Sequence, residues 1–597
     1  MLAETTKSLA TIAGDWLARF ERALGARDQA ALASLFHADS HWRDVLALTW
    51  DIRTVSGANA ILPELAATVA RHAATNFCID PKRTPPREVT RAGIDAIEAI
   101  FTFETAQARC NGVVRLTTDG GTFKAWNLLT ALDEIKGHEE HIGRTRRPTG
   151  EAYARDFRGP NWLDQRLASA AYTDRDPEVL IVGGGQAGLS IAARLKALDV
   201  DALIVDREPR IGDNWRKRYH ALTLHNQVHV NHLPHMPFPP SWPAYIPKDK
   251  LANWFESYVE ALELNFWTGT ELAGGSYDAR AQRWTVTLRR ADGSERTMRP
   301  RHVVMATGVS GIPTLPDIPS LKDFAGTVLH SGRYEDGEAW KGRNALVIGT
   351  GNSGHDIAQD LHSAGANVTL AQRSPTLIVN IEPSAQLAYA LYDEGPPLED
   401  CDLVTVSVPL ELARKSHQRM TAHCKQLDKD LLDRLARIGF KLSDGEDGTG
   451  WQFLYLTRGG GYYFNVGCSD LVADGKVRLL QFADIESFAP AGARLRAGEA
   501  LPLDLVVMAT GYKGQEALVR KLFGDEIAAR VGPIWGFGDT QELRNMFVRT
   551  PQPGLWFIAG SLAQCRIYSK YLALQIKAGE LGLMPDAHSV TADSPSS

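Results

Sequence analysis

One strand–glycine–helix unit occurs twice in this chain, and no other feature limits its fold so tightly. In the first copy the apolar run Val179 to Val182 meets Gly183-Gly184-Gly185-Gln186-Ala187-Gly188, then a helical pattern through Leu189, Ile191 and Leu195. In the second, Ala345 to Ile348 meets Gly349-Thr350-Gly351-Asn352-Ser353-Gly354, then a helix through Ile357, Ala358 and Leu361. The starting glycines lie 166 residues apart, too far for a solenoid repeat and right for two separate lobes.

Each glycine has a physical task. The first makes the tight turn, the second lets a pyrophosphate approach the backbone, and the third allows helix and strand to pack closely. The pyrophosphate then meets the positive end of the helix dipole. The expected fold class is α/β, with two dinucleotide-binding, Rossmann-like domains preceded by a small α+β cone-like domain. The two copies differ where their second strands end. Asp201 to Val205 ends in Asp206, 18 residues past Gly188, where a carboxylate can accept hydrogen bonds from a ribose. Asn367 to Leu370 runs into Ala371-Gln372-Arg373-Ser374, with no carboxylate. An acid would repel a 2′-phosphate and a guanidinium can grip it, so Arg373 predicts NADPH in the second lobe. Two further strands, Val303 to Gly308 and Val506 to Tyr512, both run into Ala-Thr-Gly. A small turn at a strand end suits a connector between two nucleotide domains.

The length, 597 residues, exceeds one hydrophobic core. Residues 1–150 read as helices (Trp16 to Leu24, and Ala30 to Phe36) followed by antiparallel strands at 97–104, 112–117 and 122–134. A polar linker follows at 151–176. The first nucleotide domain is expected at 177–323 and returns at 479–584; the second occupies 324–478, with a helical insertion at about 380–450. Residues 585–597 read as a frayed tail. A net charge of −6 offers no field for nucleic acid or an anionic membrane. The chain shows neither a secretory leader nor an apolar run of membrane-spanning length, so a cytoplasmic protein is expected. The six cysteines include no C-x-x-C pair, and no metal site is expected.

The stretch from Glu178 to Leu581 resembles the class B flavin-dependent monooxygenases, with the flavin-containing monooxygenases and the plant indole-pyruvate monooxygenases most similar. The most specific motif is Phe324-x-Gly326-x-x-x-His330-x-x-x-Tyr334, whose ending, Tyr334-Glu335, differs from the Trp-Pro of the Baeyer–Villiger branch. Gly212 to Trp215, Leu224 to Gln227, Leu233 to Pro239, Met508 to Tyr512, Ile558 to Gly560 and Tyr568 to Ile576 each resemble family segments. The resemblance implies that NADPH reduces FAD, that O₂ adds to give a C4a-hydroperoxyflavin, and that bound NADP⁺ shields it. The implied substrate is a small organic molecule with a soft nitrogen or sulfur centre, or a 2-oxo acid such as indole-pyruvate. Two alternatives stand beside it, a Baeyer–Villiger ketone oxygenase and a flavin- and NADP-binding redox sensor that oxygenates nothing. A disulfide reductase would need the missing cysteine pair.

The resemblance assigns cofactor contacts to Gly183, Gly185, Gln186, Ala187, Gly188, Asp206, Arg207, Trp215, Asn226, Gln227, Thr307, Gly308 and Gly560. On the second lobe it assigns Gly349, Gly351, Asn352, Ser353, Gly354, Arg373, Ser374, Thr510, Gly511 and Tyr512. Counting along the motif puts His225, with its neighbour Asn226, where mammalian members place an asparagine beside the flavin. These two, with His330, are the candidate catalytic residues, His330 being also a candidate hinge between the domains. Residues 1–150 resemble a nuclear-transport-factor-like cone. Asp44, Asp51, His138 and His141 are its titratable candidates, but dimerisation or substrate gating is expected of it rather than a second active site.

Overall fold

The computed structural model describes residues 8–146, 157–309 and 311–585. The expected tail, apart from Pro585, and the first part of the linker lie outside these. Alternating apolar runs and helices build two parallel sheets of the same plan. The first has the order Asn265–Trp267, Ala202–Val205, Val179–Val182, His302–Met305, Leu555–Phe557, every pair parallel. The second has the order Thr327–His330, Leu505–Met508, Asn344–Ile348, Asn367–Gln372, Arg478–Gln481, again all parallel. Their strands are almost wholly apolar because both faces are covered, one by helices and the other by an antiparallel ribbon. Each sheet is accompanied by a three-stranded antiparallel ribbon, at 270–298 and 485–502.

The strand Leu505–Met508 corrects the expected division of the chain. It lies between Thr327–His330 and Asn344–Ile348 at the centre of the second sheet, so the second lobe does not end at residue 478. The chain returns to the first sheet only at Leu555–Phe557. The two connectors run side by side, with Ile312–Pro313 paired antiparallel to Tyr512–Lys513.

The N-terminal unit is a seven-stranded sheet with the helices Leu9–Ala26 and Ala58–His72 packed on it. Trp16, Phe20, Phe36, Phe77, Phe101 and Phe103 stack through its core. One expectation is corrected here. Phe36 is not helical, since the helix ends at Ala33 and Phe36–Val45 is a strand. The expected strands pair antiparallel, and Phe36–Val45 adds a parallel neighbour to Thr122–Ile135. Ala108–Asp119 and Thr122–Ile135 are buried along most of their length with no alternation, so both faces of this sheet are covered. The linker also holds a helix, Trp162–Ala171, started by Asn161 and Asp164 in a reciprocal cap.

Candidate functional site

The two glycine turns fold alike. Gly183 and Gly349 take φ of +108° and +117°, the left-handed region in which only glycine is relaxed. A Cβ on Gly188 would lie 2.0 Å from the Gly183 carbonyl, and one on Gly354 would lie 2.0 Å from that of Gly349. These third glycines serve helix–strand packing. The middle glycines differ. A Cβ on Gly351 would meet nothing nearer than the Tyr462 carbonyl at 3.7 Å, and one on Gly185 would meet only the Asn214 side chain. That space faces the N-termini of the helices Gln186–Ala197 and Asn352–Ser363, neither of which has a side-chain cap. Bare helix N–H groups beside an open glycine are a cradle for phosphate.

Around the first cradle, Asp206 is half-buried and accepts from the backbone N–H of Gly184 (2.6 Å) and Glu208 (2.9 Å). Burial raises its pKa, and these two bonds oppose the rise. Gln186 donates to the Gly560 carbonyl (3.0 Å) and accepts from the Trp215 indole (3.2 Å), which joins three predicted contacts from distant segments. Ala187 is buried in the helix, and Gly308 accepts from Gln515 (2.8 Å). The Thr307 hydroxyl is buried with no protein partner, as suits a group awaiting a ligand. Arg207 instead points outward, its side chain 71% exposed.

The second cradle opens on a cleft of about 830 Å³ lined by Gly349 to Gly354, Arg373 and Ser374, and by Thr510 to Tyr512 from the connector. Arg373 is exposed at its mouth and makes no ion pair or hydrogen bond among the described residues. Lys513, Arg458 and Arg544 line the same cleft; nothing in the glycine pattern indicated them. The Asn352 side chain accepts from the Phe464 N–H (3.0 Å), so it fastens the helix start to the strand Tyr462–Asn465.

The three candidate catalytic residues do not gather at one point. His330 accepts at Nδ1 from the Gly332 N–H and donates from Nε2 to the Gly511 carbonyl, both at 3.1 Å. Both ring nitrogens are thereby used at the connector, with Tyr512 edge-on at 5.1 Å. This is the geometry of a tie, and it leaves no nitrogen for chemistry. His225 packs on Phe464 and faces Asp356, Nε2 to Oδ2 being 4.0 Å. Burial lowers the His225 pKa and Asp356 opposes this; burial raises that of Asp356, which also accepts from the Tyr219 hydroxyl. Asn226 lies close to the Tyr389 hydroxyl and accepts at its carbonyl from the Asn231 amide (2.9 Å), and Gln227 donates to Glu382 at 3.4 Å. Asp356 and Tyr389 were not indicated by the sequence, because each comes from an element remote in the chain; Tyr219, six residues before His225, carries no motif of its own.

The titratable set of the N-terminal unit is not assembled. Asp44 is consumed in the core by Thr130, Thr49 and the Leu48 and Thr49 N–H groups. His138 is exposed, and His141 pairs with Asp199 at 2.9 Å. Among the described residues no three His, Cys, Asp or Glu side chains could hold a metal, and no helix is long and apolar enough to cross a membrane. All six cysteines are free.

Comparisons with known proteins bear on this pair of cradles. A family model described as pyridine nucleotide-disulphide oxidoreductase matches residues 180–391. The probable indole-3-pyruvate monooxygenase YUCCA7 of Arabidopsis thaliana is 30% identical over 339 residues, 56% of this chain and 74% of the relative. The chain belongs to the flavin-dependent monooxygenases. It is similar as well to indole-3-pyruvate monooxygenase YUCCA1 of Oryza sativa subsp. japonica, 29% identical over 61% of this chain and 83% of that one. Among solved structures, a flavin-containing monooxygenase from Stenotrophomonas maltophilia aligns over 68% of this chain and 99% of its own, at 19% identity and a TM-score of 0.45. A closed crystal structure of cyclohexanone monooxygenase aligns over 68% of this chain and 85% of its own, at 17% identity and a TM-score of 0.49. As a flavin-dependent monooxygenase the chain is an oxidoreductase that adds one oxygen atom, and FAD and NADPH are the cofactors of its class.

Proposed function

We propose that this monooxygenase holds FAD on the Gly183–Gly188 cradle and NADPH on the Gly349–Gly354 cradle, and uses O₂ to oxygenate a small organic molecule. A 2-oxo acid of the indole-pyruvate kind fits the names of the relatives it matches, and a soft nitrogen or sulfur centre is the other substrate class proposed. The observation that carries the reading is the contrast between the two cradles. One is closed by the carboxylate of Asp206, the other by the unpaired guanidinium of Arg373. A carboxylate suits a ribose diol and excludes a 2′-phosphate; a guanidinium does the reverse. The residues present fit both groups, since each cradle keeps a middle glycine open and a helix N-terminus bare. Bound flavin supplies the redox and oxygen chemistry. The chain's own part is positioning. Gln186, Trp215 and Gly560 brace the first cradle, His330 ties the end of the strand Thr327–His330 to the Gly511 turn that follows Leu505–Met508 in the second sheet, and His225 and Asn226 present polar atoms between the lobes.

The test is anaerobic reduction of the full chain with NADPH, followed by mixing with oxygen. Fast reduction by NADPH and slow NADPH-oxidase turnover, with little peroxide released, are expected. Direct return to oxidised flavin with one peroxide per NADPH, with and without a panel of amines, sulfides, 2-oxo acids and ketones, would overturn the oxygenation reading.

A further inference from the structure

The segment 384–407 runs from the His225–Asn226 strand to the N-terminal unit. At its inner end the Gln386 amide donates to the His225 carbonyl (3.0 Å), and the Tyr389 hydroxyl lies close to the Asn226 side chain. At its outer end three of its five carboxylates are met by arginine from outside the segment. Glu394 takes two bonds from Arg91 (2.7 and 2.9 Å) and pairs with Arg87 (2.9 Å). Asp400, only 2% exposed, pairs with Arg83 and accepts from the Thr84 N–H (2.7 Å) and hydroxyl. Asp402 takes a two-bond fork from Arg566 (2.8 and 2.7 Å).

The last of these arginines explains the geometry. Arg566 lies on the helix Leu562–Glu580, which starts beside Gly560 of the first cradle. Its remaining nitrogen donates to the carbonyls of Val230 (2.7 Å) and His232 (2.9 Å), just beyond the His225–Gln227 strand. The helix Leu398–Val406 is thus gripped from two sides, by Arg566 of the flavin lobe and by Arg83 of the N-terminal unit. The N-terminal sheet adds Arg43 to the Val406 carbonyl and Asn127 to the Ser407 carbonyl (2.8 Å). With Lys570 paired to Asp133, these contacts cover the sheet face that such a unit would otherwise leave free for a ligand or a second copy. A buried carboxylate needs its partner, because desolvation of an unpaired charge is expensive. Asp400 therefore fixes the segment only while Arg83 and Thr84 are in place.

We infer that the N-terminal unit is a buttress of the reaction site. Arg83 and Asp400 are positioning residues that hold the segment 384–407, and through Gln386 and Tyr389 they hold His225 and Asn226. The functional half of this inference rests on the oxygenation reading above; the structural half does not.

The experiment compares full-length Arg83→Ala and Glu394→Gln with the wild type, and with Arg53→Ala, which breaks an ion pair to Glu64 inside the N-terminal unit. Hydrogen–deuterium exchange is read at 384–407 and 223–227. Flavin reduction by NADPH and peroxide released per NADPH are measured in parallel. Both test variants are expected to exchange roughly tenfold faster in these two segments. They should also release severalfold more peroxide while reduction by NADPH stays within about twofold, because only the positioning of the site is touched. Arg53→Ala should match the wild type, and Arg83→Lys, which keeps the charge without the planar guanidinium, should recover part of the protection. Faster exchange confined to residues 80–91, with 384–407 at the wild-type rate, overturns the inference. Should Arg83→Ala not fold, Glu394→Gln decides by the same readings. A chain that NADPH does not reduce at all would sink the oxygenation reading while the exchange data still judged the buttress.

Discussion

Single residues divide the work of the two cradles, and each division can be checked. Arg373 faces the cleft with no protein partner, so its removal leaves no buried charge behind and changes only what it would bind. A charge-assisted bond contributes about 1.5–3 kcal/mol, so Arg373→Ala should raise KM for NADPH about tenfold to a hundredfold. KM for NADH should hardly move. Steady-state kinetics with both nucleotides decide it, and equal effects on the two would remove Arg373 from the phosphate site. Gly185 is the matching residue of the first cradle. An added methyl there meets only the Asn214 amide, a side chain that can swing away, so the protein alone can accept alanine. The pyrophosphate cannot, because its approach uses that space. Gly185→Ala should fold normally and purify with little flavin, by absorbance; a full complement of flavin would place the cofactor elsewhere.

At the scale of elements, the same glycine turns separate folding from binding. Gly354→Ala would push a methyl to 2.0 Å from the Gly349 carbonyl, which is backbone and cannot yield. Overpacking of that kind costs about 1–3 kcal/mol, so urea unfolding should shift by that amount. Gly351→Ala, whose methyl finds 3.7 Å of clearance, should leave the urea midpoint in place and weaken nucleotide binding instead. Equal losses of stability in the two variants would refute this division. The strand–glycine–helix order was legible in the sequence because it is local: strand, turn and helix follow one another within about a dozen residues. Asp206 and Arg373 were legible for the same reason, each closing the next strand. What the sequence did not show is non-local. Nothing near Leu505–Met508 says that it sits between Thr327–His330 and Asn344–Ile348, since parallel pairing joins strands far apart in the chain. Phe36–Val45 paired parallel with Thr122–Ile135 was missed likewise, and its apolar start was taken for helix. The partners of His225 came from 356, 386 and 464, and no spacing rule links those positions. His330 was visible as a motif residue, but only its two backbone bonds show it as a tie.

The whole molecule carries a further consequence of burial, in how its units respond to acid. His232, His235 and His355 are each lowered to about 4, desolvation being the largest cause in every case. Arg566 adds to the effect at His232 and Arg194 at His235. The folded values lie below the unfolded value of 6.5, so between pH 6.5 and about 4 the unfolded chain binds more protons. The stability these residues contribute is complete above pH 6.5 and is lost as the pH falls through that window. Each can cost up to about 1.4 kcal/mol per pH unit. Asp44 works the other way: burial raises it to about 6, so acid relieves its buried charge. His417, also lowered to about 4 by burial, joins the three histidines, and Asp51, Asp206 and Asp356, raised by burial, join Asp44; above about pH 6 the histidines set the sign. Two of them sit where units meet, His232 beside Arg566 and His235 facing Glu140 at 3.9 Å, so acid should loosen the contacts between units as well as lower the melting temperature. His355 isolates the effect. It is fully buried and stacked on Tyr463 at 4.0 Å, a place that phenylalanine can fill without titrating. His355→Phe should therefore melt near the wild type at pH 7 and lose less between pH 7 and 5, by about 2 kcal/mol for one histidine over this range. An identical loss in variant and wild type would show that His355 is not neutral in the fold, and the acid lability would then have to come from the ion pairs that join the units.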